Sequence, residues 1–219
     1  MRALLDLLLP RECGGCGAVG TQWCARCRDA LATGPVRLRP RVEPGAPAWA
    51  VGTYVGARRA AVIAAKERGR ADLAVPLGAA LARAVRCLRE LGEIDPGELA
   101  ALTLVPAPSR PRAARVRGGD PVAAAVRAAA RALHPEPVRV ATALTYARGV
   151  RDSVGLSARA RVDNLAGRVR VGSLEPTGVR DAVVLVDDVL TTGATAAESV
   201  RALAVRGVRV AAVLVIAAA

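Results

Sequence analysis

The stretch Val183-Val184-Leu185-Val186-Asp187-Asp188-Val189-Leu190-Thr191-Thr192-Gly193-Ala194-Thr195 constrains this chain more than any other. Its first four residues are apolar and read as a buried strand. Two adjacent acids follow at the carboxyl end, where open α/β sheets place their ligands. A loop of threonines and glycine then opens directly into a helix expected over roughly 194–205. Gly193 lets the backbone turn and approach a ligand closely. The amides of Thr191–Thr195 can converge on an anion, helped by the positive end of the helix dipole. The hydroxyls of Thr191, Thr192 and Thr195 add donors, while Asp187 and Asp188 are acceptors suited to sugar hydroxyls or Mg²⁺. An anion at one end and a diol at the other describe a sugar phosphate.

Three other readings of such segments fail or weaken. An apolar run ending in Asp-Asp resembles a Walker B strand, but a Walker A loop needs Gly-x-x-x-x-Gly-Lys-Ser/Thr. The only lysine, Lys66, is followed by Glu67, which excludes a P-loop NTPase. Gly15-Cys16-Gly17-Ala18-Val19-Gly20 matches a dinucleotide fingerprint formally, yet it lies among cysteines with no strand before it. A plain strand ending in a polar turn would not need acids, threonines and glycine together. The single histidine, His134, lies in a loop before a strand with no nucleophile motif nearby, so a triad hydrolase is excluded.

Apolar runs separated by helical stretches imply an α/β chain with a parallel sheet covered on both faces. Strands are expected at Trp49–Val55, Leu102–Val105, Val138–Ala141, Ala182–Val186 and Val208–Ile216. Helices are expected at residues 1–10, Arg58–Ala65, Asp72–Leu91 and Ala123–Leu133. Residues 31–47 are rich in Pro, Arg and Gly. The organisation expected is an N-terminal helix and cysteine module over 1–34, a linker over 35–47 and the main domain over 48–219. Hydrophobic residues make up 53% of the chain with no Phe, two Trp and two Tyr, so Ala, Val and Leu must pack the core. No segment reaches the ~18 consecutive apolar residues of a membrane helix, and the expected location is the cytoplasm, where thiols stay reduced.

Cys13-x-x-Cys16 and Cys24-x-x-Cys27 form two hooks separated by seven residues. Two such hooks can supply four thiolates in a tetrahedron, the arrangement of a structural zinc site, with glycines 14, 15 and 17 allowing the tight turn. Trp23-Cys24-Ala25-Arg26-Cys27 also has the look of a thioredoxin site, but that reading leaves Cys13 and Cys16 unused. Cys87 reads as a small buried hydrophobe.

The net charge is +13 from 32 basic and 19 acidic residues. A polyanionic partner such as nucleic acid, or a phosphorylated substrate, would explain it. Coding bias toward Arg and Ala competes as an explanation, and single-stranded nucleic acid usually also calls for aromatics. Lys66, in a chain that otherwise uses only Arg, is either a surface residue or a place where a compact ammonium is preferred, facing pyrophosphate or an α-phosphate.

The Val183–Thr195 segment resembles the phosphoribosyl pyrophosphate (PRPP) motif of type I phosphoribosyltransferases. In that family the acids hold the ribose 2′- and 3′-hydroxyls and the loop amides hold the 5′-phosphate. The resemblance implies those roles for Asp187 and Asp188, and for Thr191, Thr192, Gly193, Ala194 and Thr195. Most of the chain is similar to one branch, the ComF/GntX-like proteins. The likeness is carried by the four-cysteine module, Lys66-x-x-Gly69, Val105-Pro106-Ala107-Pro108 with Arg110, Arg117-Gly118-Gly119-Asp120, Gly155-Leu156-Ser157, Arg161 and Asn164. It implies the type I phosphoribosyltransferase fold behind a zinc module. Pro106, Ala107, Pro108 and Ser109 become a pyrophosphate loop offering backbone amides, and Lys66, Arg110 and Arg161 become pyrophosphate ligands. Residues 148–164 become a hood that brings Arg151, Arg159 or Arg161 toward the phosphates and excludes water. Two positions depart from the branch: Ser153 stands where relatives usually carry Gln, and Gly119-Asp120 where they carry Phe-Asn.

The activity so implied is transfer of ribose 5-phosphate from PRPP, with Mg²⁺, to a nitrogen acceptor, releasing pyrophosphate. The other reading is a non-catalytic PRPP- or nucleotide-binding module. It would act in DNA uptake or processing through single-stranded DNA or a DNA-processing protein.

Overall fold

The computed structural model describes residues 11–109, 119–147, 165–174 and 181–219. The expected helix at 1–10 lies outside them, as do Arg110, Arg117-Gly118 and all of 148–164, with Arg151, Ser153, Arg159, Arg161 and Asn164.

Six strands build the main sheet: β1 (Val36–Leu38), β2 (Ala48–Ala50), β3 (Leu102–Pro106), β4 (Val138–Val140), β7 (Ala182–Leu190) and β8 (Val210–Ala218). Their spatial order is β1-β2-β8-β7-β3-β4. All neighbours are parallel except β1, which runs antiparallel to β2 along one edge. A second sheet pairs β5 (Leu144–Tyr146) with β6 (Val169–Val171) in antiparallel register. The expected α/β architecture with a mostly parallel sheet is therefore present.

A short helix, α1 (Ala25–Ala30), carries Cys27. Period-2 alternation sorts the strand side chains into two layers. Leu104, Val184, Val186 and Leu214 face one core with helices α2 (Gly56–Glu67), α3 (Ala74–Glu90) and α4 (Pro121–Ala132). Val105, Val183, Leu185 and Val213 face the other, with α5 (Ala194–Val205) and the β5–β6 pair. Because the core is built of small residues, its helices can approach closely. A Cβ on Gly78 of α3 would lie 2.5 Å from the Ala128 methyl of α4.

Several boundaries differ from expectation. Residues 35–47 are not a free linker, since β1 lies within them. The strand expected at 49–55 is formal only through Ala50. Gly52 lies against the Arg58 guanidinium, and the chain then rejoins β8 through the Tyr54 amide and the Ala218 carbonyl. The expected helix at 72–91 opens as a 3₁₀ turn, Ala71–Leu73, before α3. Pro76 sits in the first turn of α3, where an absent N–H costs nothing. Cys87 is half-buried.

The strand β7 is the largest departure. It runs nine residues where five were expected, because β8 offers a pairing partner all the way to Leu190. Asp187 and Asp188 consequently lie inside the strand, not beyond it.

Candidate functional site

The chain leaves β3 toward β4 on one side and β7 toward β8 on the other, so the winding reverses between the adjacent strands β3 and β7. Open α/β sheets take ligands at the carboxyl ends of strands around such a reversal. Here those ends carry Pro106–Ser109 and Asp187–Thr195.

A cleft at this point is lined by Asp187, Thr191, Thr192, Gly193, Ala194 and Thr195, with Leu165 across from them. Gly193 is the N-cap of α5, at φ 91°, and brings no side chain to cap the helix. The amides of Thr195 and Ala196, in the first turn, have no carbonyl above them in the helix and face an anion-ready space. Thr192 Oγ1 accepts from the Ala194 amide at 3.4 Å, so that hydroxyl shapes the loop in addition to any ligand role. Gly193 is required twice over. Its φ is left-handed, and a Cβ there would lie 2.2 Å from the Val42 carbonyl oxygen. The Val42 amide in turn donates to the Thr192 carbonyl at 2.9 Å. The stretch after β1 thus straps the loop down.

The two acids are not equivalent. The pleat turns Asp187 toward the α5 side, into the cleft, and Asp188 toward α2. There Lys66, in the last turn of α2, reaches Asp188 with its Nζ 2.7 Å from Oδ2. Lys66, read from the sequence as either a surface residue or a phosphate partner, has an acid as its partner in this structure. Asp188 is 8% exposed. Its Oδ1 accepts from the Val189 amide at 2.7 Å, and Asp187 Oδ1 accepts from the Asp188 amide at 2.8 Å. Burial raises the pKa of Asp187 well above the usual carboxylate range, and the neighbouring Asp188 charge adds to this against the pull of Lys66. Burial alone would lower the pKa of Lys66, but the charge and hydrogen bond of Asp188 outweigh it and hold the ammonium above its ordinary value.

The 106–109 turn offers fewer amides than expected. Pro106 and Pro108 have no N–H, and the Ala107 amide donates to the Val186 carbonyl at 2.7 Å. Only the Ser109 amide is left for a ligand. Asp120, the departure from the family pattern, caps α4: its Oδ1 accepts from the amides of Val122 and Ala123 at 2.9 and 3.2 Å.

Sequence reading missed Glu198. This residue of α5 is 8% exposed and forms two bonds of 2.7 and 2.8 Å with Arg201. Arg201 foremost lowers its pKa against the effect of burial, and the amides of Val169 and Gly167 assist. Glu198 thereby ties β6 to the helix whose start forms the cleft. Its only signal in the sequence is a lone acid in the apolar helix Ala194–Val205.

The sulfurs of Cys13, Cys16, Cys24 and Cys27 lie within 4.8 Å of one another. Tetrahedral zinc at about 2.3 Å from each sulfur needs edges of about 3.8 Å, and the Cys16–Cys24 edge is 3.6 Å. The donor set and its size fit zinc. Burial would raise the Cys13 thiol, but amides of Cys24, Cys16 and Gly15 and the Cys27 thiol bring it down to about 6, so a thiolate is ready at neutral pH. Burial first, then hydrogen bonding with the other three sulfurs, pushes Cys27 up. Only Gly17, at φ 77°, makes the tight turn. Gly14 and Gly15 instead give room to Leu73 and to Cys27 Sγ, each 2.6 Å from where a Cβ would stand.

No family model and no curated protein matches the chain. Among the described residues no helix is long and apolar enough to cross a membrane.

Proposed function

We propose that this chain is a ComF/GntX-like protein of the type I phosphoribosyltransferase fold that binds PRPP and transfers its ribose 5-phosphate to a nitrogen acceptor. The reading is carried by one observation: a carboxylate and an uncapped helix start border the same cleft at the sheet's winding reversal. A 5-phosphate would take the amides after Gly193, and a ribose hydroxyl would donate to Asp187. Breaking the bond from C1 to pyrophosphate develops positive charge on the sugar and negative charge on the leaving group, so positioning and charge neutralisation carry the chemistry. Mg²⁺ bound with PRPP would supply part of that neutralisation. The Ser109 amide is the contribution of the 106–109 turn. The cysteine cluster would hold a structural zinc.

Calorimetry with PRPP and Mg²⁺ tests the site. Binding should be lost in the double variant Asp187→Asn, Asp188→Asn, and unchanged binding would defeat the ribose assignment. Pyrophosphate release from PRPP across a panel of nitrogen acceptors then identifies the reaction.

A second reading, a nucleotide-binding module that meets single-stranded DNA, draws on the exposed Arg39 and Arg41, which alternate just beyond the edge strand β1. Its affinity should fall steeply with salt; a flat response would remove it.

A further inference from the structure

We infer that Arg70 is a positioning residue that fastens the cysteine module to the end of α2, so that metal occupancy of the four cysteines governs how firmly the stretch around Lys66 is held. The inference rests on the zinc reading of those cysteines and not on PRPP.

The connector from α2 to α3 turns sharply, with Gly69 at φ 63°. The Arg70 amide donates back to the Ala64 carbonyl of α2 at 3.1 Å, and the Leu73 amide donates to the Arg70 carbonyl at 3.2 Å. The guanidinium of Arg70 works in two directions. Its Nε and Nη2 hold the Asp72 carboxylate at 2.8 and 2.7 Å, a bidentate pair that fixes the fork. Nη2 also donates to the Glu12 carbonyl at 3.0 Å, and Glu12 is the residue before Cys13. Leu73 is fully buried and packs on the same hook, since a Cβ at Gly14 would lie 2.6 Å from its Cδ2. Lys66 lies between Ala64 and Arg70, and its Nζ meets Asp188 of β7 at 2.7 Å. The stretch 64–73 is thus held by the first cysteine hook at one end and reaches the candidate site at the other.

A metal bound by both hooks ties residues 13–16 to residues 24–27, and its binding energy is folding energy for that module. Without it the Glu12 carbonyl is no longer a fixed point, and Leu73 loses the wall that Gly14 provides. The chain after the second hook keeps its own anchors. Arg83 Nη2 donates to the Leu31 carbonyl at 2.6 Å, and Arg58 Nη2 donates to Thr33 Oγ1 at 2.6 Å. Metal loss should therefore loosen 64–73 while the rest of the core stays folded. A lysine at position 70 would make a point contact and could not bridge Asp72 and Glu12 together.

Hydrogen–deuterium exchange on the full chain tests this, with zinc bound and after a chelator has been added and dialysed away. Zinc removal should speed exchange across 64–73 on the order of tenfold, the size of one lost charged hydrogen bond, and leave α4 unchanged. Arg70→Gln should show the faster exchange with zinc bound, chelation should add nothing further, and Arg70→Lys should not rescue it. By reciprocity the zinc affinity of Arg70→Gln, read by competition with a chromogenic chelator, should fall by a similar factor. Unchanged exchange at 64–73, a rise shared equally by α4, or a wild-type zinc affinity in Arg70→Gln overturns the inference. A protein that binds no zinc overturns the zinc reading and this inference together; one that binds zinc without the coupling overturns the inference alone.

Calorimetry with PRPP and Mg²⁺ reads the consequence at the site. Zinc removal should weaken binding in the wild type and leave the already weaker Arg70→Gln unchanged, because the two changes act through one contact. Equal weakening in both overturns the role of Arg70. Should the zinc-loaded wild type bind no PRPP, the PRPP reading falls and the exchange measurement still decides.

Discussion

The cysteine cluster and the cleft beside Asp187 are built on opposite plans. Four sulfurs come from a single run, Cys13 to Cys27, and their neighbours in sequence are their neighbours in space. The cleft draws Asp187 and its loop from one strand–helix junction, Leu165 from a separate segment, Val42 from the strap after β1 and Lys66 from α2. A local site can be recognised from spacing because a short loop has few ways to close. A dispersed one depends on which helix end the sheet brings beside which strand.

The contrast can be tested where it should be strongest. Cys27→Ser removes a buried ligand, and the zinc content of the purified protein should fall from one per chain to none. Metal-coupled folding energy is on the order of several kcal/mol or more, so the melting temperature should drop well below that of the wild type. A Cys27→Ser protein that keeps its zinc and its melting temperature would break the comparison. In the cleft, Gly193→Ala forces a left-handed φ on alanine and drives a methyl group into the Val42 carbonyl. Strain and overpacking together should cost about 3 kcal/mol, read by urea denaturation. A loss under about 1 kcal/mol would show that the strap yields easily.

Asp187→Asn should act in the other direction. A carboxyl whose pKa is raised by folding contributes its stability below the ordinary range and loses it as pH rises through the raised value. Asparagine does not ionise, so the variant should melt a few degrees above the wild type at pH 7–8, with the gain vanishing toward pH 4 while PRPP binding is weakened. An unchanged or lower melting point at neutral pH would contradict the burial of this charge. The smallest effect is expected from Glu198→Gln, because its partner Arg201 is exposed and solvent screens the pair. The pKa of Glu198 is lowered, so its contribution should be present at neutral pH and disappear as pH falls through the lowered value; a pH-independent difference would show that the charge of Glu198 is not what holds the contact.

Much of the scaffold was legible because the signals were periodic. The helix Ala194–Val205 matched its expected span, and the two hooks of cysteines came together as their spacing implied. Strand ends were less legible, since β7 stops where β8 stops pairing with it, and the acids themselves carry no mark of that. The turn at 106–109 looked like a supply of amides until the Val186 carbonyl was found to hold one of them. Glu198 carries no mark in the sequence beyond being a lone acid in an apolar helix, and it is buried while its partner Arg201 stays exposed. The burial of Glu198 depends on β6, which joins from elsewhere in the chain.

From its order of residues alone, the chain determined a parallel α/β core, a four-cysteine cluster and a glycine-capped helix after two acids, because each follows from periodicity or from the closure of a short loop. Only the tertiary structure decided that Lys66 meets Asp188, that Asp187 alone turns into the cleft and that Val42 bears on Gly193. Those outcomes depend on the pleat of a strand whose length its neighbour sets, and on contacts between segments that share no local pattern.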